Sequence, residues 1–255
     1  MRDPDEGLDM AGMIRTGAGR HPIAQPFQLL VRDLVWDFES LDLPHAELHL
    51  YGSVATGQAI AGRSDVDVLA IETPSTWALE TSARLRSSYP GLCRAVAIGT
   101  AGDKDFQGAS EAAYGNRVFL RHYCTQLAGP VRLKPTQDFP GDAAAARGFN
   151  GDLRRVLARW REDPPAASRI GRKTLFGAAG IVSVAEGMWT TDPATAVEIW
   201  RRRSPGDAED MEMLLAWSAG TEIPEPDDVA AALREDGIVS RVVQRFGDEI
   251  GFWQD

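Results

Sequence analysis

A short unit of strand, turn and strand, HLYGSVATGQAIAGRSDVDVLAIE at positions 49–72, constrains the fold of this chain more than any other stretch. The first strand ends at Gly52 and Ser53, where the missing Cβ of glycine lets the backbone approach a ligand closely. Eleven residues then lead to Asp65 and Asp67, which are followed by an apolar run. Because alternate residues of a strand share a face, we expect both aspartates to point the same way and the valines beside them to enter the core.

Two carboxylates on one face predict a cation site, because like charges repel unless a cation lies between them. Hard oxygen ligands of this kind suit Mg²⁺, which is usually held by one or two carboxylates together with substrate phosphates. Backbone N–H groups and a small hydroxyl, as at Gly52 and Ser53, suit phosphate oxygens. A lone Asp-x-Asp is more often a solvated strand face. The Gly-Ser turn ahead of Asp65 and Asp67 is what favours a metal and phosphate site here.

This Gly-Ser, spacer and Asp-x-Asp pattern resembles the motif of the DNA polymerase β-like nucleotidyltransferase superfamily. The resemblance implies a small mixed-sheet catalytic domain and an Mg²⁺-dependent enzyme. Such an enzyme moves a nucleoside monophosphate from a nucleoside triphosphate, here expected to be ATP, to a hydroxyl group. Asp65 and Asp67 would then be the catalytic metal ligands, and Gly52 and Ser53 would bind the β- and γ-phosphates.

The third carboxylate that members of the superfamily commonly carry on the next strand is missing. The candidate strand 92–98 contains no acid, and the nearest acids are Asp103 and Asp105 in the loop that follows. Either is a candidate for the general base, although a plain surface aspartate is the more frequent case. His122 is a weaker candidate for the general base. It lies in 117–126, a segment that is predicted to form another strand.

The pattern becomes helical beyond a predicted linker at 134–142. Apolar residues at helical spacing predict about five helices and no strand. The segments 172–175 and 186–196 resemble the helical half of the aminoglycoside nucleotidyltransferases, in which two helices close over the nucleotide and the drug. The resemblance implies that Lys173 binds the nucleotide and that Glu186 is another candidate base. A solvated helix start and a helix-end surface glutamate explain these two residues as well.

These patterns together predict an α+β protein with three segments. Residues 1–22, which mix Asp, Gly and Arg without periodicity, predict a disordered lead-in. The nucleotidyltransferase domain is expected over 23–138, beginning with an amphipathic helix at 26–41 that packs on the sheet. An all-α helical domain is expected over 139–255.

The charge balance bears on the partners. Acidic residues number 37 against 27 basic ones, and the net charge of −10 argues against a broad surface for DNA or RNA. A small cationic acceptor of the aminoglycoside kind fits better. The sequence shows no apolar run of membrane-spanning length and no signal peptide before Pro22, which predicts a cytoplasmic protein without a membrane partner. Cys93 and Cys124 lack metal-ligand spacing and read as reduced thiols.

Two other functions fit the same motif. A toxin-type relative would use the catalytic unit on RNA or protein instead of a small molecule. A nucleotide-binding or regulatory module would keep the fold after losing turnover. The missing third carboxylate favours the module, and so does Val131, which follows Gly129-Pro130 where many superfamily members carry an acid.

Overall fold

The computed structural model describes residues 3–254 and divides into two compact units. The first unit holds the described residues up to Glu6 together with Arg15–Asp138, and the second holds Gly7–Ile14 and the chain from Phe139 onward. This division falls inside the 134–142 segment that the sequence predicts as a linker. The described elements run, in chain order, as β1 (Gly7–Leu8), β2 (Ile14–Arg15), α1 (Gln28–Glu39), β3 (Glu47–Tyr51), α2 (Gly52–Ala55), β4 (Val66–Ile71), α3 (Ser75–Ser88), β5 (Val96–Ala101), α4 (Glu111–His122), β6 (Thr125–Ala128), α5 (Ala143–Asn150), α6 (Leu153–Glu162), α7 (Ala167–Glu186), α8 (Pro193–Arg203), α9 (Ala208–Ala219), α10 (Pro226–Leu233) and α11 (Ile238–Glu249).

The first unit is built on a mixed sheet of four strands in the order β5-β4-β3-β6. Strand β3 is antiparallel to β4 and to β6, whereas β4 and β5 run parallel. A small mixed sheet followed by a helical region is the α+β class that the sequence predicts, and that prediction is confirmed.

One face of the sheet forms the main core of the first unit. Leu48 and Leu50 of β3 and Val66 and Val68 of β4 are fully buried there, against apolar side chains of α1. Each side chain of this size contributes about 1.5–3 kcal/mol when it is fully buried. Helix α1 lies within the stretch 26–41, so the predicted amphipathic helix is confirmed.

The opposite face of the sheet is covered by α4 and by residues that follow β6. Ile71 packs there with Leu120 and Cys124, and the rings of Tyr51 and Phe119 meet edge-on with 5.1 Å between their centroids. Burial raises the pKa of the Cys124 thiol, which keeps it protonated and in line with the predicted reduced thiol. This second face also carries the candidate site.

The described residues of the second unit are helical apart from loops, β1, Ile14 of β2 and a β-bridge between Met13 and Pro140. The predicted start of a helix at Asp192 and Pro193 is confirmed, because the Asp192 carboxylate accepts a hydrogen bond from Thr195 N at 2.8 Å. No helix among residues 3–254 is both long and apolar enough to cross a membrane. The buried side chains of this unit include the tryptophans Trp160, Trp189, Trp200 and Trp217 together with Leu153, Ile170, Ile181 and Phe246.

The structure differs from the predicted disorder at the start of the chain. Residues 1 and 2 lie outside the described part, but residues 3–22 carry β1 and β2 and make specific hydrogen bonds. Gly17 N donates to Asp3 Oδ2 at 2.6 Å, and the buried Thr16 hydroxyl donates to the His122 carbonyl. Single polar residues hold this segment in place, and such contacts have no apolar periodicity in the sequence.

The predicted strand at 117–126 is wrong for most of its length. Helix α4 covers Glu111–His122, and only the last two positions belong to β6. The Ser110 hydroxyl caps the helix by accepting a hydrogen bond from Ala113 N at 3.2 Å. The apolar run at 118–120 is as long as a short strand, and a run of that length occurs in strands and in helices alike. The capping residue Ser110 precedes the segment that was predicted as a strand.

Candidate functional site

The register of β3 and β4 places Asp67 beside the turn that ends β3. Tyr51 is the antiparallel partner of Asp67, and directly opposed residues share a face of the sheet. Val66 and Val68 are fully buried on the other face, while Asp65 and Asp67 are half-buried. The predicted alternation is therefore confirmed, and both carboxylates lie on the second face of the sheet.

Gly52 lies directly against the carboxylate of Asp67. A Cβ built on Gly52 would come within 2.7 Å of Asp67 Oδ2, and the glycine has a φ of +71°, in the left-handed region. Gly52 is exposed, and the half-buried Ser53 follows it in α2. Two independent reasons thus require glycine here: the backbone angle and the close approach of a carboxylate.

Asp65 is held by Arg94, the residue two positions ahead of β5. Arg94 Nε donates to Asp65 Oδ1 at 3.0 Å, and Arg94 Nη2 donates to Asp65 Oδ2, so the guanidinium spans both carboxylate oxygens. This hydrogen-bonded pairing raises the pKa of Arg94. The pair was not expected from the sequence, because it depends on which residues the parallel β4–β5 pairing brings together.

The strand beside Asp67 offers no further acid. In the parallel register of β4 and β5, Ala97 is the partner of Asp67. Within residues 3–254, no three His, Cys, Asp or Glu side chains form a group that could hold a metal ion. The candidate site therefore consists of two carboxylates, the Gly52-Ser53 turn and one guanidinium.

Asp103 and Asp105, the predicted candidates for the base, lie at the other end of the strands. Asp65 precedes β4 and Asp103 follows the parallel β5, so six strand residues, about 20 Å at 3.3 Å each, lie between the two positions. Asp103 is paired with Arg132 at 2.9 and 3.0 Å, and this hydrogen bonding lowers the pKa of Asp103. Asp105 Oδ2 accepts a hydrogen bond from Gly102 N at 2.8 Å. The structure does not bring these two aspartates to Asp65 and Asp67.

His122 does not lie on a strand but is the last residue of α4. It is buried, and burial lowers the pKa of its imidazole to about 4. A neutral, enclosed histidine at a helix end is a structural residue and not a base poised near neutral pH.

Lys173 and Glu186 belong to the second unit and already have partners there. Lys173 Nζ lies 2.8 Å from Asp152 Oδ1, and Glu186 Oε1 accepts a hydrogen bond from Arg203 Nη1 at 3.0 Å. Their roles in nucleotide binding and as a base stay predictions.

A buried polar pair on β3 was missed by the sequence analysis. Glu47 and His49 are both fully buried, and His49 Nε2 lies 3.0 Å from Glu47 Oε2. Glu47 Oε1 accepts hydrogen bonds from the backbone N–H groups of Arg132 and Leu133 at 3.3 and 3.2 Å. Burial lowers the pKa of His49 to about 4, which favours the neutral ring, and a neutral ring with its proton on Nε2 is able to donate to the Glu47 carboxylate. This pair lies on the same face as Asp67, and the alternation of polar residues along β3 was the available signal.

No protein-family model matches this chain, and no curated protein matches it in sequence. Among solved structures it is similar to that of the spectinomycin adenyltransferase AAD(9) from Enterococcus faecialis with ATP and spectinomycin. The TM-score is 0.55 at 11% sequence identity, and the match covers 86% of this chain and 98% of the other. At this identity the likeness establishes the fold, and the function has to be argued from the site.

Proposed function

We propose that this chain is a nucleotidyltransferase that moves a nucleoside monophosphate from a nucleoside triphosphate to a hydroxyl group of a small acceptor, with Mg²⁺ as cofactor. The observation that carries the proposal is the packing of the Asp67 carboxylate against Gly52, with Asp65 on the same face of the sheet. The structural neighbour is an adenyltransferase solved with ATP. ATP is therefore the expected donor.

Asp65 and Asp67 fit an Mg²⁺ ion that is bound together with a nucleotide. They offer hard oxygen donors on one face of one strand segment, and Mg²⁺ is usually held by one or two carboxylates plus substrate phosphates. Phosphate oxygens and water would supply the remaining ligands. When bound, Mg²⁺ would neutralise the triphosphate charge and orient the reacting oxygens.

The chain's own residues position the substrate. Gly52 and Ser53 bind the β- and γ-phosphates, because the bare backbone at Gly52 permits an approach that a Cβ would block. The packing of Asp67 against Gly52 supports this arrangement, because it would hold a carboxylate close to phosphates bound at the turn. The acceptor hydroxyl oxygen attacks the α-phosphorus and releases its proton to water, the bond from that phosphorus to the bridging oxygen of the β-phosphate breaks, and pyrophosphate leaves. Positioning and electrostatic stabilisation account for most of such catalysis, so the reaction tolerates the lack of an acid at Ala97.

The proposed acceptor is a small cationic molecule related to the aminoglycosides or aminocyclitols. The net charge of −10 disfavours a polyanionic acceptor such as RNA. The structural neighbour is named for its action on spectinomycin, which supports an acceptor of this size. Transfer to RNA or to a protein is the competing outcome of the same chemistry.

A second candidate function is a nucleotide-binding module without turnover. Two observations favour it: Ala97 takes the position beside Asp67, and Asp65 is tied to Arg94. Such a module would bind a triphosphate with its metal and release no pyrophosphate.

The test is a transfer assay with Mg²⁺ and labelled ATP, GTP, CTP or UTP. The acceptors are a panel of aminoglycosides and aminocyclitols, a tRNA pool and the protein alone, and the readouts are pyrophosphate release and label transfer. We expect transfer to a small acceptor that falls at least about a hundredfold in Asp65→Asn and in Asp67→Asn. Asp37→Asn is the matched control, because Asp37 also pairs with an arginine of the first unit, Arg84, and lies outside the site.

Three outcomes separate the functions. Full activity in Asp65→Asn and Asp67→Asn would overturn the assignment of these residues. Label on tRNA or on the protein itself would show that the enzyme is of the toxin type, with RNA or protein as its acceptor. Metal-dependent binding of a triphosphate without product from any acceptor would favour the binding module.

A further inference from the structure

We propose that Arg94 is an exchangeable counter-cation of the site: it pairs with Asp65 in the resting protein and moves to the triphosphate when a divalent cation binds Asp65. This inference rests on the proposed function, since it concerns the same metal and nucleotide. It assigns to Arg94 a role in controlling metal affinity and in binding phosphate.

The backbone places Arg94 beside Asp65. Arg94 N donates to Ser64 O at 3.0 Å, and Val66 N donates to Ala95 O at 2.9 Å, so the parallel pairing extends past the start of both strands. Residue 94 therefore lies next to residue 65 for as long as β4 and β5 are paired. Only the long side chain of Arg94 is left to move.

The guanidinium and a metal ion compete for the same oxygens. Nε and Nη2 of Arg94 donate to Oδ1 and Oδ2 of Asp65, which is the two-pronged geometry that arginine forms with carboxylates. A cation that is ligated by Asp65 has to displace at least one of these hydrogen bonds. Arg94 is thus a competitor of the divalent cation in the protein without nucleotide.

The arginine is the partner that is able to leave. Its side chain is 60% exposed, while that of Asp65 is only 20% exposed. Exposed ion pairs of this kind contribute little net stability, because water and salt screen them and ordering two side chains costs entropy. A divalent cation that arrives with a triphosphate can therefore displace the guanidinium at small cost.

The displaced guanidinium has a natural acceptor in the triphosphate. Asp65 and Asp67 provide two negative charges, and Ala97 beside Asp67 provides none, so the site has carboxylates for one divalent cation. Arg94 supplies an additional positive charge at the point where a metal-bound triphosphate would lie. Arginine binds phosphate oxygens in the same two-pronged manner in which it binds a carboxylate.

The experiment measures two affinities in the wild type, Arg94→Ala and Arg94→Lys. The first is the affinity of the nucleotide-free protein for Mn²⁺, from the electron paramagnetic resonance signal of unbound Mn²⁺. The second is the affinity for a nonhydrolysable ATP analogue with saturating Mg²⁺, from calorimetry. Arg84→Ala is the matched control, because Arg84 forms a similarly exposed pair with Asp37 in the same unit.

We expect opposite changes in the two affinities. Arg94→Ala should tighten Mn²⁺ binding by about two- to fivefold, the value of an exposed ion pair, and weaken binding of the analogue by about tenfold, the value of a charge-assisted hydrogen bond. Arg94→Lys keeps the positive charge but not the two-pronged guanidinium, so both of its affinities should lie between those of the wild type and those of Arg94→Ala. Arg84→Ala should leave both affinities unchanged.

A structural salt bridge would give a different result. Weaker or unchanged Mn²⁺ binding in both Arg94 variants would overturn the inference, and so would unchanged binding of the analogue. The transfer assay separates this failure from failure of the proposed function. If the wild type transfers nucleotide and the Arg94 variants change neither affinity, the role of Arg94 is rejected and the proposed function stands. If the two affinities change in opposite directions but no acceptor is labelled, the role of Arg94 stands and the proposed enzyme activity is rejected.

Discussion

The Asp67 carboxylate and the backbone of Gly52 are in such close contact that a Cβ on Gly52 would lie 2.7 Å from Asp67 Oδ2. The contact joins the two parts of the motif, the Gly52-Ser53 turn and the Asp65-x-Asp67 strand, which are separated by the eleven residues between Ser53 and Asp65. It sets the position of a carboxylate relative to the backbone that is proposed to hold phosphate. The neighbouring atom is the end of a side chain, so an added Cβ would displace the carboxylate and leave the sheet intact.

We therefore expect Gly52→Ala to lose function beyond its cost in stability. The φ of +71° at this position makes any other residue unfavourable by about 1–2 kcal/mol. In addition, the new methyl group would turn the Asp67 carboxylate away from the proposed metal position. Transfer activity and Mn²⁺ affinity should both fall. The free energy of unfolding, measured with urea, should fall by only about 1–2 kcal/mol.

Gly91→Ala is the matched control for this variant. Gly91 has a φ of +75°, and no atom lies within 4 Å of a Cβ built on it. It should lose a similar free energy of unfolding and keep Mn²⁺ affinity. Equal Mn²⁺ affinities in the two glycine variants would contradict the proposed position of the metal.

Asp103→Asn and Asp105→Asn should retain transfer activity, because both side chains lie at the far end of the strands from Asp65. Loss of a true general base would lower the rate by about 10²- to 10⁴-fold. Asp103→Asn should instead lower the free energy of unfolding by at most about 1 kcal/mol, through its exposed pair with Arg132. Steady-state kinetics and urea unfolding of the same samples check both statements. A rate loss of the size of a general base in either variant would return these residues to the site.

Trp189 is expected to act in the core of the second unit and not as a stacking platform for a base or sugar. Its side chain is 2% exposed and packs near Phe149, with 6.2 Å between the ring centroids. Trp189→Ala should lower the free energy of unfolding by about 3–5 kcal/mol, as other large core truncations do. Trp36→Ala, at a position that is 71% exposed, should change it by less than about 0.5 kcal/mol. Guanidinium unfolding followed by circular dichroism measures both, and a small effect of Trp189→Ala would contradict the core role.

The parts of the site that were predictable from the sequence are those set by local periodicity. Asp65 and Asp67 share a face because side chains alternate along any strand. Gly52 indicates a turn because glycine is the residue that adopts a positive φ most readily. Helix α1 follows from apolar spacing in the same way.

The parts that were not predictable depend on strand pairing. The position of Asp103 far from Asp65 follows from the parallel register of β4 and β5, and so does the pairing of Arg94 with Asp65. Neither relationship can be inferred from the local pattern of a single sequence. The error at 117–122 has a different cause, since a short apolar run such as 118–120 occurs both in strands and in helices.

Two buried imidazoles make the first unit sensitive to acid. Burial lowers the pKa of His49 and of His122 to about 4, from an ordinary value of 6.5. The unfolded chain therefore takes up protons below about pH 6.5 that the folded protein does not accept until about pH 4. Their contribution to stability is fully present above pH 6.5 and is lost as the pH falls toward 4, by on the order of 3 kcal/mol for each group.

His49→Gln should therefore flatten the loss of stability between about pH 7 and about pH 5, because the amide keeps an N–H for Glu47 and does not titrate. Glu47 acts in the opposite direction, since burial raises its pKa and makes the folded state the better proton acceptor in more acidic solution. The measurement is the free energy of urea unfolding at a series of pH values for the wild type, His49→Gln and His45→Gln. His45 is exposed, so its variant should follow the wild-type profile. A His49→Gln profile as steep as that of the wild type would contradict a lowered pKa of His49, and a steeper one would indicate that His49 is protonated in the folded protein and paired with Glu47.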